Sequence, residues 1–377
     1  MAGITLLKKL ISIPSYLEDD INEARIGNFI YDYLKEFPWL KVERQFIGKG
    51  RFNVIARDKY PAELLIYGHM DTVTPRSHSV RDQFKPTVVG NKLYGLGAVD
   101  MKAGLAAMFT AIKNVGPTRG LVALFSCDEE YEFLGTKKFL EKYNFSPKLV
   151  LSAETTDLCI ANNCRGVLEA TFTVEGKTAH ASTPNLGKNA IDAVVKLVDS
   201  LKQPLRQFTN PNLGRTTMNL AYLNGGLVGL KQFEIIARAN SVPDIAHTLL
   251  ELRITDKKIT PTWLEKIIKE QAKKMGLSIS NFKTHFCVNP LLTHKNQLKE
   301  LEALFGKTNL PVCYLEADKI GYYDVQLIQE VWGVPAVSVG PGPKNYSHKS
   351  NEYVDLQEFG ASQTLYEEII KYYCPNN

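Results

Sequence analysis

The stretch "ELLIYGHMD", residues 63–71, decides the fold: Leu64, Leu65, Ile66 and Tyr67 run without interruption into a histidine and an aspartate two apart. An unbroken apolar run this short suits a central strand covered on both faces. "GLVALFSCDEE" (120–130) and "PKLVLSAE" (147–154) repeat the pattern, each ending in acidic groups, and the small-residue helix "MKAGLAAMFTAIKN" (101–114) lies between the first two. Strand, helix, strand predicts an α/β unit with a central, mostly parallel sheet.

Upstream, apolar residues recur at helical spacing over 21–37. After Gly166 the character changes. "LEATFTVEG" (168–176) alternates strictly, with Leu168, Ala170, Phe172 and Val174 on one face, as a half-buried antiparallel strand does. An amphipathic helix follows, carrying Ile191, Val194, Val195, Val198 and Leu201, and then strands in "TTMNLAYLNGG" (216–226) and "HTLLELRIT" (247–255). A second helix is marked by Thr260 as N-cap, Pro261 in its first turn and Gly276 past its end. Two helices on one open antiparallel sheet predict an inserted α+β domain over 167–286. It interrupts an α/β domain made of 1–166 and 287–377, where "PVCYLEA" (311–317), "PAVSVGPG" (335–342) and a helix over 356–372 restore the first character.

A chain of 377 residues, 44% hydrophobic and 23% charged, is long enough to give both domains a core. The net charge of +5 is dispersed, and the densest lysines, Lys266, Lys269, Lys273 and Lys274, stand at helical spacing opposite Leu264, Ile267 and Ile268. That pattern reads as a solvated helix face and argues against nucleic-acid or membrane partners. The first residues, "MAGITLLKKLISIPS", place Lys8 and Lys9 inside the apolar stretch and show no cleavage site, so a cytoplasmic location is expected. Cys127, Cys159, Cys164, Cys287, Cys313 and Cys374 form no C-x-x-C pair and are expected to be free thiols of a reducing compartment.

Residues i and i+2 of a strand point the same way, so His69 and Asp71 project from one side of a strand's end, where α/β sheets hold their ligands. A metal-ligating histidine usually donates its other ring N–H to a neighbour, and Asp71 stands where such a partner is needed. Taken alone, the pair is better explained as a capped strand end. Asp100 in "YGLGAVDMKAG" (94–104) reads alone as a helix N-cap, Asp128, Glu129 and Glu130 as a solvated turn, and Glu154 as a strand-end charge; His348 lies in "YSHKSNEYV" (346–354). Together the plain readings weaken, because several acidic and imidazole groups end apolar runs of one sheet and need a counter-charge. Imidazole and carboxylate without a thiolate cluster suit zinc, cobalt or manganese. Two such ions sharing a carboxylate would polarise a carbonyl and acidify a water between them, leaving one of Glu129 and Glu130 as general base.

The chain resembles the two-zinc metallohydrolase family of acetylornithine deacetylase, succinyl-diaminopimelate desuccinylase, aminoacylase and related carboxypeptidases. The motifs run in order over nearly its whole length: "GHMDTV", "YGLGAVDMKAGLAAM", "CDEEYEFLGTKKF", "LSAE", "GKTAHASTPNLGKNAI", "NSVPDIAHTLLELR" and "SHKSNEYV". The resemblance implies a zinc-peptidase-like catalytic domain with a ferredoxin-like inserted domain that serves as lid and homodimer contact. It implies two divalent ions per chain, His69, Asp100 and Glu154 holding the first and Asp100, Glu130 and His348 the second, with Asp71 in support and Glu129 as general base. From the inserted domain, His180 would polarise the scissile carbonyl, while Asn240 and Arg253 would contact substrate, the arginine by clamping a carboxylate; an ion pair within the lid competes for Arg253.

Departures bear on the substrate. Cys164 and Arg165 stand where desuccinylases carry two arginines, Tyr322 and Tyr323 precede Asp324 where small and hydroxyl residues are usual, and Leu96 replaces a desuccinylase arginine. The resemblance therefore implies amide hydrolysis of an N-acyl amino acid, with N-acetylornithine as first substrate. A dipeptidase, carboxypeptidase or desuccinylase is the alternative within the class, and a non-catalytic binding protein on the same fold the alternative outside it.

Overall fold

A computed structural model describes residues 2–48, 50–229 and 234–376. The chain divides into two compact units, Met1–Asn163 with Leu291–Asn377, and Cys164–Pro290.

The first unit is built on a six-stranded sheet in the order Lys41–Gly48, Arg51–Arg57, Leu121–Ser126, Leu64–His69, Leu149–Ser152, Ala336–Ser338. The last four strands are mutually parallel, and the first two join antiparallel at the edge. Every residue of Leu64–His69, Leu121–Ser126 and Leu149–Ser152 is buried, which is why their apolar runs are unbroken. Helices Ala2–Ile11, Ala24–Lys35, Ala103–Val115 and Leu356–Tyr373 set their apolar stripes into this core. Fully buried Phe109 meets Phe125 at a ring separation of 4.8 Å, and each such side chain contributes about 1.5–3 kcal/mol by leaving water. Gly104 sets how closely Ala103–Val115 approaches the sheet: a Cβ there would lie 2.4 Å from the carbonyl oxygen of Ala153.

The second unit is a five-stranded antiparallel sheet in the order Ile235–Ile236, Thr217–Val228, Ile245–Ile254, Gly166–Glu175, Ser278–Val288. Leu168, Ala170, Phe172 and Val174 are buried against helices Ala190–Leu205 and Pro261–Lys274. Thr260 caps the latter by accepting the Trp263 amide, and Asn189 caps the former through the amides of Ile191 and Asp192. Lys269 and Lys266 face solvent and pair with Glu265 and Glu270.

One expectation is overturned. Cys159 and Cys313 form a disulfide, and Cys127, Cys164, Cys287 and Cys374 remain thiols. The partners are 154 residues apart in sequence, and the fold joins them: Ile160 N–H donates to the Cys313 carbonyl at 2.8 Å and Leu315 N–H to that of Ile160 at 3.1 Å. No spacing rule detects a pair brought together by tertiary structure. Among the described residues no helix is long and apolar enough to cross a membrane.

Candidate metal centre

The parallel register carries three strand ends to one place. His69 pairs with Ser126 and Tyr67 with Ser152, so His69, the Asp128–Glu130 turn and Glu154 emerge side by side from neighbouring carboxyl ends. His69 is buried, its Nδ1 3.1 Å from the Asp71 carbonyl and 3.5 Å from the Asp71 carboxylate. Its Nε2 stands 3.2 Å from Asp100 Oδ1 and 3.3 Å from Glu154 Oε1. His348 Nε2 stands 3.4 Å from Asp100 Oδ2 and 3.0 Å from Glu130 Oε2. Asp100 thus offers one oxygen to each imidazole. Ligand-type atoms of His69, Glu129 and Glu154, and of His69, Asp100 and Glu130, lie within 4.8 Å of one another.

The supporting bonds explain this convergence. The buried Asp71 carboxylate accepts the amides of Glu129 at 3.2 Å and Glu130 at 2.9 Å, fixing the backbone of the acid pair as well as the His69 ring. Asp100 does not cap a helix; Ala103–Val115 begins beyond it, after the cis peptide Asp100–Met101. The turn at Asp128 is not solvated. Asp128 is buried with φ +73°, its side chain turned away from Glu129 onto Arg51 at 2.5 Å, and Arg51 also holds Glu23 at 2.7 Å.

The electrostatics call for cations. Five carboxyl groups, Asp71, Asp100, Glu129, Glu130 and Glu154, surround the two imidazoles His69 and His348. Burial pushes the Glu130 carboxyl up to about 7, with Asp100 adding to the rise. Burial raises Glu154, again with Asp100, and raises Glu129 well above the carboxylate range, with Glu154, Asp324 and Glu130 adding to it against His69. Asp100 is lowered: burial opposes its charge, but the hydrogen bonds to His348 and His69 prevail. Hydrogen bonds to Asp100 and Glu130 raise His348 to about 10. Glu130 Oε1 is buried without a hydrogen bond, and buried Glu154 Oε1 meets the His69 ring at 3.3 Å. Surplus buried carboxylate with an unsatisfied oxygen beside neutralisable imidazoles is a donor set that fits divalent ions of the zinc, cobalt or manganese kind.

The sequence model of the peptidase family M20/M25/M40 matches residues 65–372. The chain belongs to that family. Its members' chemistry makes it a hydrolase of amide bonds, and its dependence on metal accords with the cluster just described. The acetylornithine deacetylase of Photorhabdus laumondii subsp. laumondii is 27% identical over 404 residues, covering 99% of this chain and 98% of that one. The aminopeptidase PepT of Bacillus cereus superposes with a TM-score of 0.79 at 20% identity, covering 99% of this chain and 98% of the other. The family M20 metallo-carboxypeptidase Sso-CP2 of Sulfolobus solfataricus gives 0.78 at 19% identity, covering 99% of each chain. These superpositions show that the M20 fold is shared.

In this M20 chain the second unit carries the other expected residues. His180 is exposed and forms a bridge with Ser241, and the Asn240 carbonyl accepts the Ala181 amide at 2.9 Å, so His180 and Asn240 are neighbours. Arg253 is not beside them. It pairs with Val167 near the end of Ile245–Ile254 where the chain passes into and out of the unit, and its guanidinium holds Glu251 at 2.8 Å. Arg51, Glu23 and Glu352 were not legible as site residues. Glu352 stands in the motif around His348, but nothing in a lone glutamate says which amides it will meet.

Proposed function

We propose that this M20 hydrolase is a two-cation deacylase of N-acyl amino acids, with N-acetylornithine as its first substrate and short peptides as the alternative. The observation that carries the proposal is the Asp100 carboxylate shared between two imidazole–carboxylate groups, with Glu129 beside them. His69, Asp100 and Glu154 would hold one ion, and Asp100, Glu130 and His348 the other. Zinc, or cobalt or manganese in its place, would supply Lewis acidity toward a carbonyl and acidify a nearby water. Asp71 keeps the His69 ring and the Glu129–Glu130 backbone in place. Glu129 takes the proton of the attacking water and hands it to the departing amine.

His180 is suited to stabilising the oxyanion. Its Nδ1 accepts the Ser182 amide at 3.2 Å and lies 2.7 Å from Ser182 Oγ. An Nδ1 that accepts leaves the proton of the neutral ring on Nε2, the tautomer that donates to a carbonyl oxygen. Asn240, its neighbour, would steady the substrate, and Arg253 would exchange Glu251 for a substrate carboxylate. The separation of these residues supports a homodimer through the second unit. Arg253 lies eight residues along the strand from Ile245, roughly 26 Å at a strand's rise, whereas His180 and Asn240 lie beyond the Ile245 end. One small substrate would meet both sets if they came from different copies.

The test is hydrolysis, after metal reconstitution, of N-acetylornithine, N-acetylmethionine, N-succinyl-diaminopimelate and several dipeptides, with a chelated control. Chelator-sensitive release from an acetylated amino acid supports the proposal. Turnover of dipeptides alone moves the chain to the peptidases, and activity that survives complete chelation overturns the two-cation reading.

A further inference from the structure

Glu352 is 3% exposed and lies four residues after His348, yet its carboxylate is spent on the turn that carries Asp100. Oε2 accepts the Gly97 amide at 3.0 Å; Oε1 accepts those of Val99 at 2.8 Å and Asp100 at 2.9 Å. Its own carbonyl accepts the Gly95 amide at 3.2 Å. Immediately after it, Tyr353–Asp355 pairs antiparallel with Lys92–Tyr94, in the register Tyr353 to Tyr94 and Asp355 to Lys92. Two segments more than 250 residues apart in sequence are therefore locked together at one side chain.

The consequence falls on Asp100. Its amide is tied to Glu352, and its two carboxylate oxygens face the two imidazoles. The backbone that aims this shared carboxylate has no regular helix to hold it: Asp100 (φ −121°, ψ 94°) and Met101 (φ −126°, ψ 34°) are not helical. Gly97, at φ +74°, leaves no room for a Cβ, which would meet Thr72 Cγ2 at 2.8 Å and Lys102 Cδ at 3.0 Å. A buried carboxylate accepting three amides is a strong, directional clamp. Lys102, buried beside this turn, donates from Nζ to the Ile13 carbonyl at 2.9 Å.

We propose that Glu352 is a positioning residue that registers the His348 loop against the Asp100 turn and so assembles the subsite of Asp100, Glu130 and His348. This rests on the two-cation reading and adds to it the group that sets how tightly the second ion is held. His69 and Glu154 reach the centre from strands of their own, so the subsite they share with Asp100 depends less on Glu352.

The test is titration of the metal-free full-length protein with Co²⁺, followed by its visible absorption and by equilibrium dialysis, for the wild type, Glu352→Gln and Glu352→Asp. Gln keeps one acceptor but sets an NH₂ group against an amide donor; Asp keeps the charge but is a methylene short. The first equivalent should bind both variants within a few-fold of wild type. The second should weaken by about 10–100-fold in Glu352→Gln, the usual cost of removing a partner that orients a ligand, and by less in Glu352→Asp. Excess Co²⁺ should restore most of kcat. Unchanged binding of the second equivalent in both variants, or equal weakening of both equivalents, overturns the inference. Wild type binding fewer than two equivalents would instead defeat the two-cation reading. Should Glu352→Gln fail to fold, Glu352→Asp carries the same comparison.

Discussion

Replacing Arg51 by methionine should destabilise the first unit by far more than the loss of an ordinary surface pair. Arg51 spans two buried carboxylates, Glu23 and Asp128, whose side chains are 0% and 3% exposed. Removing one partner of a buried ion pair typically costs about 3–5 kcal/mol, because it strands uncompensated charge. Here Glu23 also accepts the Asp128 amide at 3.0 Å, so the damage reaches the backbone one residue before Glu129. The cost should depend on pH. Burial already raises the Glu23 carboxyl above its ordinary range, with Asp71 adding to the rise and Arg51 opposing it; without Arg51 the rise is larger. The folded variant then binds more protons than the unfolded chain between the ordinary carboxylate pKa and the raised one, so its stability falls as pH rises through that window. Denaturant unfolding followed by Trp39 and Trp332 fluorescence, in a Trp263→Phe background that silences the second unit, measures this. We expect a deficit of about 3–5 kcal/mol at pH 8 that narrows toward pH 5. A deficit below about 1 kcal/mol at pH 8, the range of an ordinary surface pair, or one that widens on acidification, would refute the reasoning.

Glu129→Gln should lower kcat by about 10²–10⁴-fold, the span of a general base, while bound metal measured by emission spectroscopy stays at the wild-type value; retained turnover removes the base assignment. His180→Ala should lower kcat by about 10²–10³-fold as an oxyanion donor with circular dichroism unchanged, and an effect confined to KM rules that role out. Thiol counting in denaturant should find four reactive cysteines before reduction and six after, and Cys313→Ser should cost about 2–4 kcal/mol through the long loop it opens; six reactive thiols without reductant would contradict the Cys159–Cys313 bond.

The elements that were legible in the sequence are those whose burial is complete or strictly periodic. Leu64–His69, Leu121–Ser126 and Leu149–Ser152 are buried at every position, so composition alone marks them. Gly166–Glu175 buries alternate residues against two helices, so its period marks it. The disulfide was illegible because no periodicity encodes a neighbour 154 residues away. Asp128 shows the same limit at the site. In sequence it is one of three equivalent acids; in the fold it has a positive φ and its carboxylate is held by the amides of Glu132 and Leu134 and by Arg51, 77 positions earlier.

The division between legible and illegible residues has a physical cause. Groups that face a ligand carry unusual chemistry in unusual places, so a histidine or a carboxylate at the end of an apolar strand stands out against its background. Groups that aim those ligands do so through backbone amides, and an amide has no residue type. Asp71 holds Glu129 and Glu130 by their amides, and Glu352 holds Gly97, Val99 and Asp100 by theirs. One fixes the acid pair and the other the turn that carries the shared carboxylate. Substituting either would therefore shift the ligand atoms without changing any ligand, and Asp71→Asn should resemble Glu352→Gln in weakening metal binding by about 10–100-fold. They should differ in one respect. Asp71 also orients His69 and the backbone of Glu129, so excess metal should leave kcat depressed in Asp71→Asn, whereas it restores most of kcat in Glu352→Gln.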